Sequence, residues 1–187
     1  MTTTYERINA SYLLAMTEFA GKDKWRPVLS SVAISKHGSM IEYAGTDSYR
    51  LARIVEDEKD GDAPEFDPFP LPVDMIKNFV KAKSAPTVEL VDGVPTRFIC
   101  DGATVELREI GRYPSYSGLL NDSMNGEAAP VVSLNSDYVM SVSKAAKKAK
   151  IKTLTYEARG PEKPIFISGK TESNDAVLEA MIVPVRM

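Results

Sequence analysis

The sequence predicts an α+β protein built on antiparallel sheets, and three observations predict it. Short strand-like runs follow one another across Gly- and Pro-containing turns, the pattern of antiparallel neighbours. Amphipathic helical runs separate these groups of strands, and a helix with one apolar stripe needs a sheet to cover. The order strand, helix, three strands recurs three times along the 187 residues. It is a repeat of architecture without sequence identity. The expected arrangement is repeated β-α-β-β-β units, with helices on one face of extended antiparallel sheets.

The first unit begins with a short extended piece, Tyr5 to Ile8. In 11-SYLLAMTEFAG-21, Leu13, Leu14, Met16, Phe19 and Ala20 fall at helical spacing, and Gly21 supplies a stop. The run 28–35 reads as a strand, 36-KHGS-39 as a turn, 40–45 as a strand, and about Tyr49–Val55 as a third strand. Residues 56–67 carry Glu56, Asp57, Glu58, Asp60, Asp62, Glu65 and Asp67 against Lys59, with Gly61 and Pro64. Such a run reads as a solvated loop.

The second unit starts at 69-FPLP-72. A helix over 73–83 puts Val73, Ile76 and Val80 on one face. Strands over 87–92, 96–101 and 103–110 follow, with Gly93, Pro95 and Gly102 at the reversals. After 111-GRYPSYSGLL-120, the small polar stretch 121–129 reads as a linker. The third unit has a strand over 131–135 and a helix over 137–150, N-capped by Asn135 or Ser136. Its last strands cover 152–159, 164–170 and 176–186. The expected division is 1–118 with two units, a linker at 119–129, and 130–187 with the third.

Net charge is −3 and 43% of residues are hydrophobic. An acidic soluble protein of this kind is no generic polycation. Single Cys100 and single His37 exclude an intrachain disulfide or a Cys/His metal cluster. His37 sits in a turn and reads as a surface histidine. Asp47, Asp101 and Glu106 offer carboxylates for a hydrolase, but no motif unites them, so no catalytic residue, metal or cofactor is assigned. No signal pattern opens the chain and no apolar run approaches the ~20 residues of a membrane span. The expectation is a cytoplasmic protein with no membrane partner.

Positive charge is local. Between Ser136 and Lys152 stand Lys144, Lys147, Lys148, Lys150 and Lys152 against Asp137. Lys144, Lys147 and Lys148 share one helical face. Lys77, Lys81 and Lys83 take the same slot in the second unit, and Lys22, Lys24 and Arg26 follow the first helix. One reading is a lysine face toward phosphates, binding duplex DNA without reading sequence. The other is a solvated surface whose terminal lysines answer the helix dipole.

The stretch 44-AGTDSYRLARI-54 puts polar residues inside a strand-like run. The segment 46-TDSYRLA-52 resembles the bacterial β sliding clamp family, where it typically reads Thr-Asp-Gly-His/Tyr-Arg-Leu-Ala. Residues 26-RPVLSSVAI-34 are similar to the strand preceding that motif, and 110-IGRYPSYSGLL-120 to a Gly-Arg-Phe-Pro-x-Tyr segment at a domain end. The terminal 180-AMIVPVRM-187 is similar to Met-Pro-Met/Val-Arg-Leu. Ser48 stands where the family usually has glycine, and Met187 where it has leucine. At about half the usual length, the chain looks like the family's middle domain followed by half of its last, which fits a shortened, phage-type version.

The resemblance implies a non-enzymatic processivity factor. It implies an apolar pocket for a short hydrophobic peptide of DNA polymerase or clamp loader. The matching positions are Leu29, Thr46, Ser48, Tyr49, Arg50, Leu51, Leu120, Val183, Pro184, Val185, Arg186 and Met187. Arg50 and Arg186 would hold the peptide's polar groups. Family rings hold twelve units around duplex DNA, so three units per chain imply a homotetramer. The competing reading is a monomeric module that keeps the pocket and competes for clamp-binding peptides.

Overall fold

Asn9 takes φ −77°, ψ 108°, and its side chain accepts the N–H groups of Ser11 and Tyr12. That cap opens the first helix in a computed structural model describing residues 1–23, 25–57, 63–108, 110–123, 132–160 and 162–185. Lys24, residues 58–62 of the acidic loop, residues 124–129 of the expected linker, and Arg186 and Met187 lie outside the described residues.

Unit 1 comprises β1 (Thr3–Arg7), α1 (Ala10–Met16), β2 (Ser31–His37), β3 (Met40–Thr46) and β4 (Arg50–Asp57). Unit 2 comprises β5 (Phe66–Pro72), α2 (Val73–Phe79), β6 (Thr87–Val91), β7 (Val94–Cys100) and β8 (Ala103–Glu106). Then come α3 (Ser117–Ser123), α4 (Ser136–Lys148), β9 (Thr155–Glu157), β10 (Ile165–Lys170) and β11 (Ala176–Ile182). The strands form two antiparallel sheets, ordered β1-β6-β7-β8 and β5-β2-β3-β4-β11-β10-β9. The predicted α+β class and antiparallel sheets are what the structure shows.

Alternation along the strands sorts side chains to two faces. On the seven-stranded sheet, Val32, Ile34, Tyr43, Ala52, Ile54, Ala180 and Ile182 join one large core with α1, α2, α4 and the four-stranded sheet. Gly45 permits the closest approach. A Cβ added there would lie 2.5 Å from the Met16 carbonyl oxygen and 3.1 Å from the Phe19 Cβ. Ala33, Ala44, Leu51, Phe166 and Met181 face the other way, under Tyr113, Tyr116 and Leu120. Residues 113–120 thus cover the middle of this sheet's outer face.

Several predicted boundaries move, each for a local reason. Helix α1 ends at Met16, not Gly21. Thr17 Oγ1 donates to the Leu14 carbonyl at 2.8 Å, and Phe19 N–H bonds Met16 in a turn at 3.1 Å. Helix α2 ends at Phe79, not Lys83, because Val80 is extended at φ −100°, ψ 127°. The next four residues close as a turn, with Lys81 N–H donating to Ser84 Oγ at 2.9 Å. The turn foreseen over 36–39 narrows to Gly38–Ser39, since His37 pairs with Met40. Lys36 is therefore a strand residue. It forms a core ion pair with Glu6, the two side chains 0% and 2% exposed.

Two corrections concern the third unit. Helix α3 fills part of the expected linker and lies on the face opposite the other helices, held by buried Leu120. Residues 132–134, expected as a strand, belong to neither sheet. They lead into the Asn135 cap of α4, and Val185 N–H donates to the Ser133 carbonyl at 2.9 Å. Helix α4 closes with Ile151 N–H on the Ala146 carbonyl at 2.9 Å and Lys150 left-handed at φ 59°, a C-terminal cap.

Candidate functional site

The polar residues of 44-AGTDSYRLARI-54 are the turn between β3 and β4. Thr46 Oγ1 donates to the Arg50 carbonyl at 2.8 Å and accepts the Ser48 N–H at 3.2 Å. Asp47 Oδ1 accepts the N–H groups of Tyr49 at 3.0 Å and Arg50 at 2.9 Å. Two short side chains thus satisfy the reversing backbone, as Asp and Thr do in tight turns. Ser48 sits at φ 79°, a left-handed conformation that suits glycine.

The chain's other end is drawn to this turn by the β4–β11 ladder. Met181 pairs with Leu51 and Ile182 with Arg50. The ladder then stops, and Pro184 brings no N–H to continue it. Continuing the alternation past both ladder ends puts Tyr49 and Val183 on the face of Leu51 and Met181, where α3 lies. Tyr49 is 62% exposed, Val183 41% and Val185 48%. Leu119 on α3 is 53% exposed while Leu120 beside it is buried against Leu51 and Met181. Tyr49, Leu119, Val183 and Val185 are thus exposed apolar side chains flanking, along the chain, the buried Leu51, Leu120 and Met181.

Of the sequence-selected pocket residues, Ser48, Tyr49, Val183 and Val185 are exposed, and Pro184 is half-buried. Thr46, Leu51 and Leu120 are buried and act as support. Leu29 is also buried, its carbonyl accepting the Gly21 N–H at 2.7 Å in the turn before β2. Leu119 was missed. In a helix, adjacent leucines point about 100° apart, so a buried Leu120 leaves Leu119 outward.

Arg50 departs from its expected role. It points to the opposite face, among the helices. Its Nε and Nη2 donate to Asp47 Oδ2 at 3.0 and 2.7 Å, and Nη1 donates to Ser141 Oγ on α4. The guanidinium carbon lies 5.0 Å from the Tyr138 ring centre and 5.8 Å from that of Phe19. Cation–π geometry and an ion pair lock it between units 1 and 3.

Tyr116 donates its hydroxyl to Glu42, which also pairs with Arg53 at 3.3 Å; Arg53 in turn bridges to Glu179 on β11. Burial, reinforced by the Glu42 carboxylate, pushes the Tyr116 hydroxyl well above the ordinary tyrosine range. Burial does the same to Tyr113. Both phenols stay neutral donors at physiological pH.

On the helix face, α1 packs against α4 and α2. Lys77 on α2 and Lys144, Lys147 and Lys148 on α4 are exposed, the α4 set opposite buried Val142, Ala145 and Ala146. Lys148 is ion-paired with Glu18, so its charge is partly answered. Lys81 and Lys83 are exposed but stand beyond α2, so they do not share its face by helical spacing; Lys150 is exposed at the α4 cap. Among the described residues no cluster of metal-ligating side chains forms, and no helix is long and apolar enough to cross a membrane.

Antiparallel sheets, α1, α2 and α4 on one face and a tail laddered to the first unit make up the sliding-clamp fold. The β subunit of DNA polymerase from Streptococcus pyogenes matches with a TM-score of 0.70 at 14% identity, over 100% of this chain and 66% of that chain. The DNA polymerase III β chain from Streptococcus pneumoniae matches at 0.69 and 12% identity, over 100% of this chain and 66% of that one. The DNA polymerase sliding clamp from Bacillus subtilis matches at 0.68 and 15% identity, over 98% and 64%. The chain thus spans a little under two thirds of the length of these proteins. No family model matches the sequence, and no curated protein matches it.

Proposed function

We propose that this chain is a clamp-type processivity factor. It associates with copies of itself around or along duplex DNA and holds a DNA polymerase by a short hydrophobic peptide. The observation that carries this reading is the β4–β11 ladder, whose ends lead into the exposed Tyr49 and Val183, while α1, α2 and α4 pack on the sheet's other face. A peptide's apolar side chains would seat over Leu51 and Met181, with Tyr49, Leu119, Val183 and Val185 as adaptable walls. Lys77, Lys144, Lys147 and Lys148 would meet phosphates, with Lys81, Lys83 and Lys150 at the margins. Residues 1–118 and 130–187 would correspond to a whole and a half clamp domain. In this reading the protein is no enzyme, needs no cofactor, works in the cytoplasm, accepts a clamp loader at the same residues, and closes as a homotetramer of twelve units.

The Lys148–Glu18 pair and the net charge of −3 favour a second reading, in which the chain binds clamp-binding peptides as a monomer without DNA. Retention on nicked circular versus linear duplex separates the two. A clamp stays on the circle and slides off the linear form; equal loss from both sinks the clamp reading.

A further inference from the structure

Units 1 and 2 complete each other's sheets. The strand before α1 is β1, which pairs with β6, the first strand after α2. The strand before α2 is β5, which pairs with β2, the first strand after α1. Each unit lends its leading strand and receives one. Both receiving strands are consequently interior: β2 is buried along nearly its whole length and β6 through its centre.

Unit 3 has both halves of this exchange and completes neither within the chain. Its receiving strand, β9, is the last strand of the seven-stranded sheet, and Thr155 and Tyr156 are exposed. Its leading segment, 132–134, stands directly before α4 as β1 and β5 stand before their helices, yet joins neither sheet. The tail meets this segment at the Ser133 carbonyl, and a segment that pairs as a strand turns the backbone groups of alternate residues to opposite edges. The stretch leading into β9 lines a groove of about 710 Å³ with the end of α4, through Lys150, Ile151, Lys152 and Leu154 against Ala146 and Lys147. Tyr156 on β9 and Met140 on α4 are large apolar side chains left in solvent.

We propose that two copies of this chain join through unit 3. Each lays residues 132–134 antiparallel against the outer edge of the other's β9. A two-fold axis makes the contact self-complementary. The occupant is a second copy because the reciprocal strand this edge accepts in units 1 and 2 is the one each copy of unit 3 offers. An open strand edge is a template for such pairing. The interface deepens the assembly part of the proposed function and rests on that reading for its use, but its geometry comes from the repeat itself.

Light scattering on the whole chain without DNA tests it. The wild type is expected at twice or more the 20.5 kDa of one chain, and Thr155→Lys with Tyr156→Lys is expected to halve that mass with unchanged circular dichroism. Hydrogen exchange gives a reading free of any variant. The amides of 155–157 should slow as wild-type concentration rises, and those of β8 serve as the comparison edge. A wild-type monomer throughout the micromolar range overturns the proposal. So does a mass unaffected by the lysines, or exchange at 155–157 that ignores concentration. Failure of DNA retention with an intact dimer would strike the processivity reading alone.

Discussion

Arg50 donates a hydrogen bond from Nη1 to Oγ of Ser141, 91 residues further along the chain. The bond crosses from the turn after β3 to the first turns of α4, and the same guanidinium stacks on Tyr138. Arg50 is thus a fastener between units 1 and 3.

Arg50→Ala is expected to lower unfolding free energy by about 2 kcal/mol, the scale of hydrogen bonds to a charged group. Denaturant titration measures this. A variant of wild-type stability with weakened peptide binding would return Arg50 to the role of a peptide ligand.

Lys36 and Glu6 form an ion pair inside the core. Removing one partner leaves a buried charge, at a cost of about 3–5 kcal/mol, whereas replacing both by apolar residues of similar volume is often neutral. Lys36→Met alone should be severely destabilised, and Lys36→Met with Glu6→Leu should recover most of the loss. Thermal melts of the two singles and the double decide it.

Ser48→Gly is expected to stabilise. A serine at φ 79° bears the left-handed penalty of about 1–2 kcal/mol, partly offset by glycine's greater entropy when unfolded. A net gain of about 0.5 kcal/mol or more should appear as a raised denaturation midpoint at unchanged slope. A loss would mean that the Arg26–Ser48 Oγ hydrogen bond, 3.2 Å, outweighs backbone strain.

Lys144→Glu with Lys147→Glu should cut the salt dependence of duplex binding. Each phosphate contact contributes about 0.9 to the slope of log K against log salt, so two lost contacts remove about 2. Both residues are exposed on α4, so melting should hardly move. An unchanged slope would place the phosphates elsewhere.

Val183→Asp with Val185→Asp should weaken a clamp-binding hydrophobic peptide more than tenfold in fluorescence anisotropy. Burying apolar groups contributes about 25 cal/mol per Å², and a charge at the wall removes that gain. The exposed positions should leave folding intact. Undiminished affinity would move the site away from the tail.

Much of this architecture was legible because alternation and turn chemistry are local. The order of strands and helices and the Asn135 cap follow from short windows, whereas the juxtaposition of the Tyr-Arg-Leu turn with the tail, a contact between Arg50 and Ile182, was expected only from the family resemblance. What escaped was decided by distant partners. The stretch SGLLNDS carries too little periodicity to announce α3; Leu120 makes it a helix by seating on the sheet. Lys36, read in a turn beside His37 and Gly38, became a core residue because Glu6 on another sheet answers it. Thr17 and Val80 shortened their helices by bonding and geometry that periodicity does not weigh. Arg50 could have been read correctly. Strand alternation alone puts it with Ala52 and Ile54, on the helix side and away from Leu51.

The β4–β11 ladder also governs the order in which a nascent chain can finish itself. The sheet begun at Ser31 keeps an open margin along Arg50–Asp57 until Ala176–Ile182 has been synthesised. Pairing so remote in sequence is slow to form, and an unmatched margin invites association with other chains. Ribosome-bound intermediates halted before residue 176 should therefore be the species most dependent on chaperones.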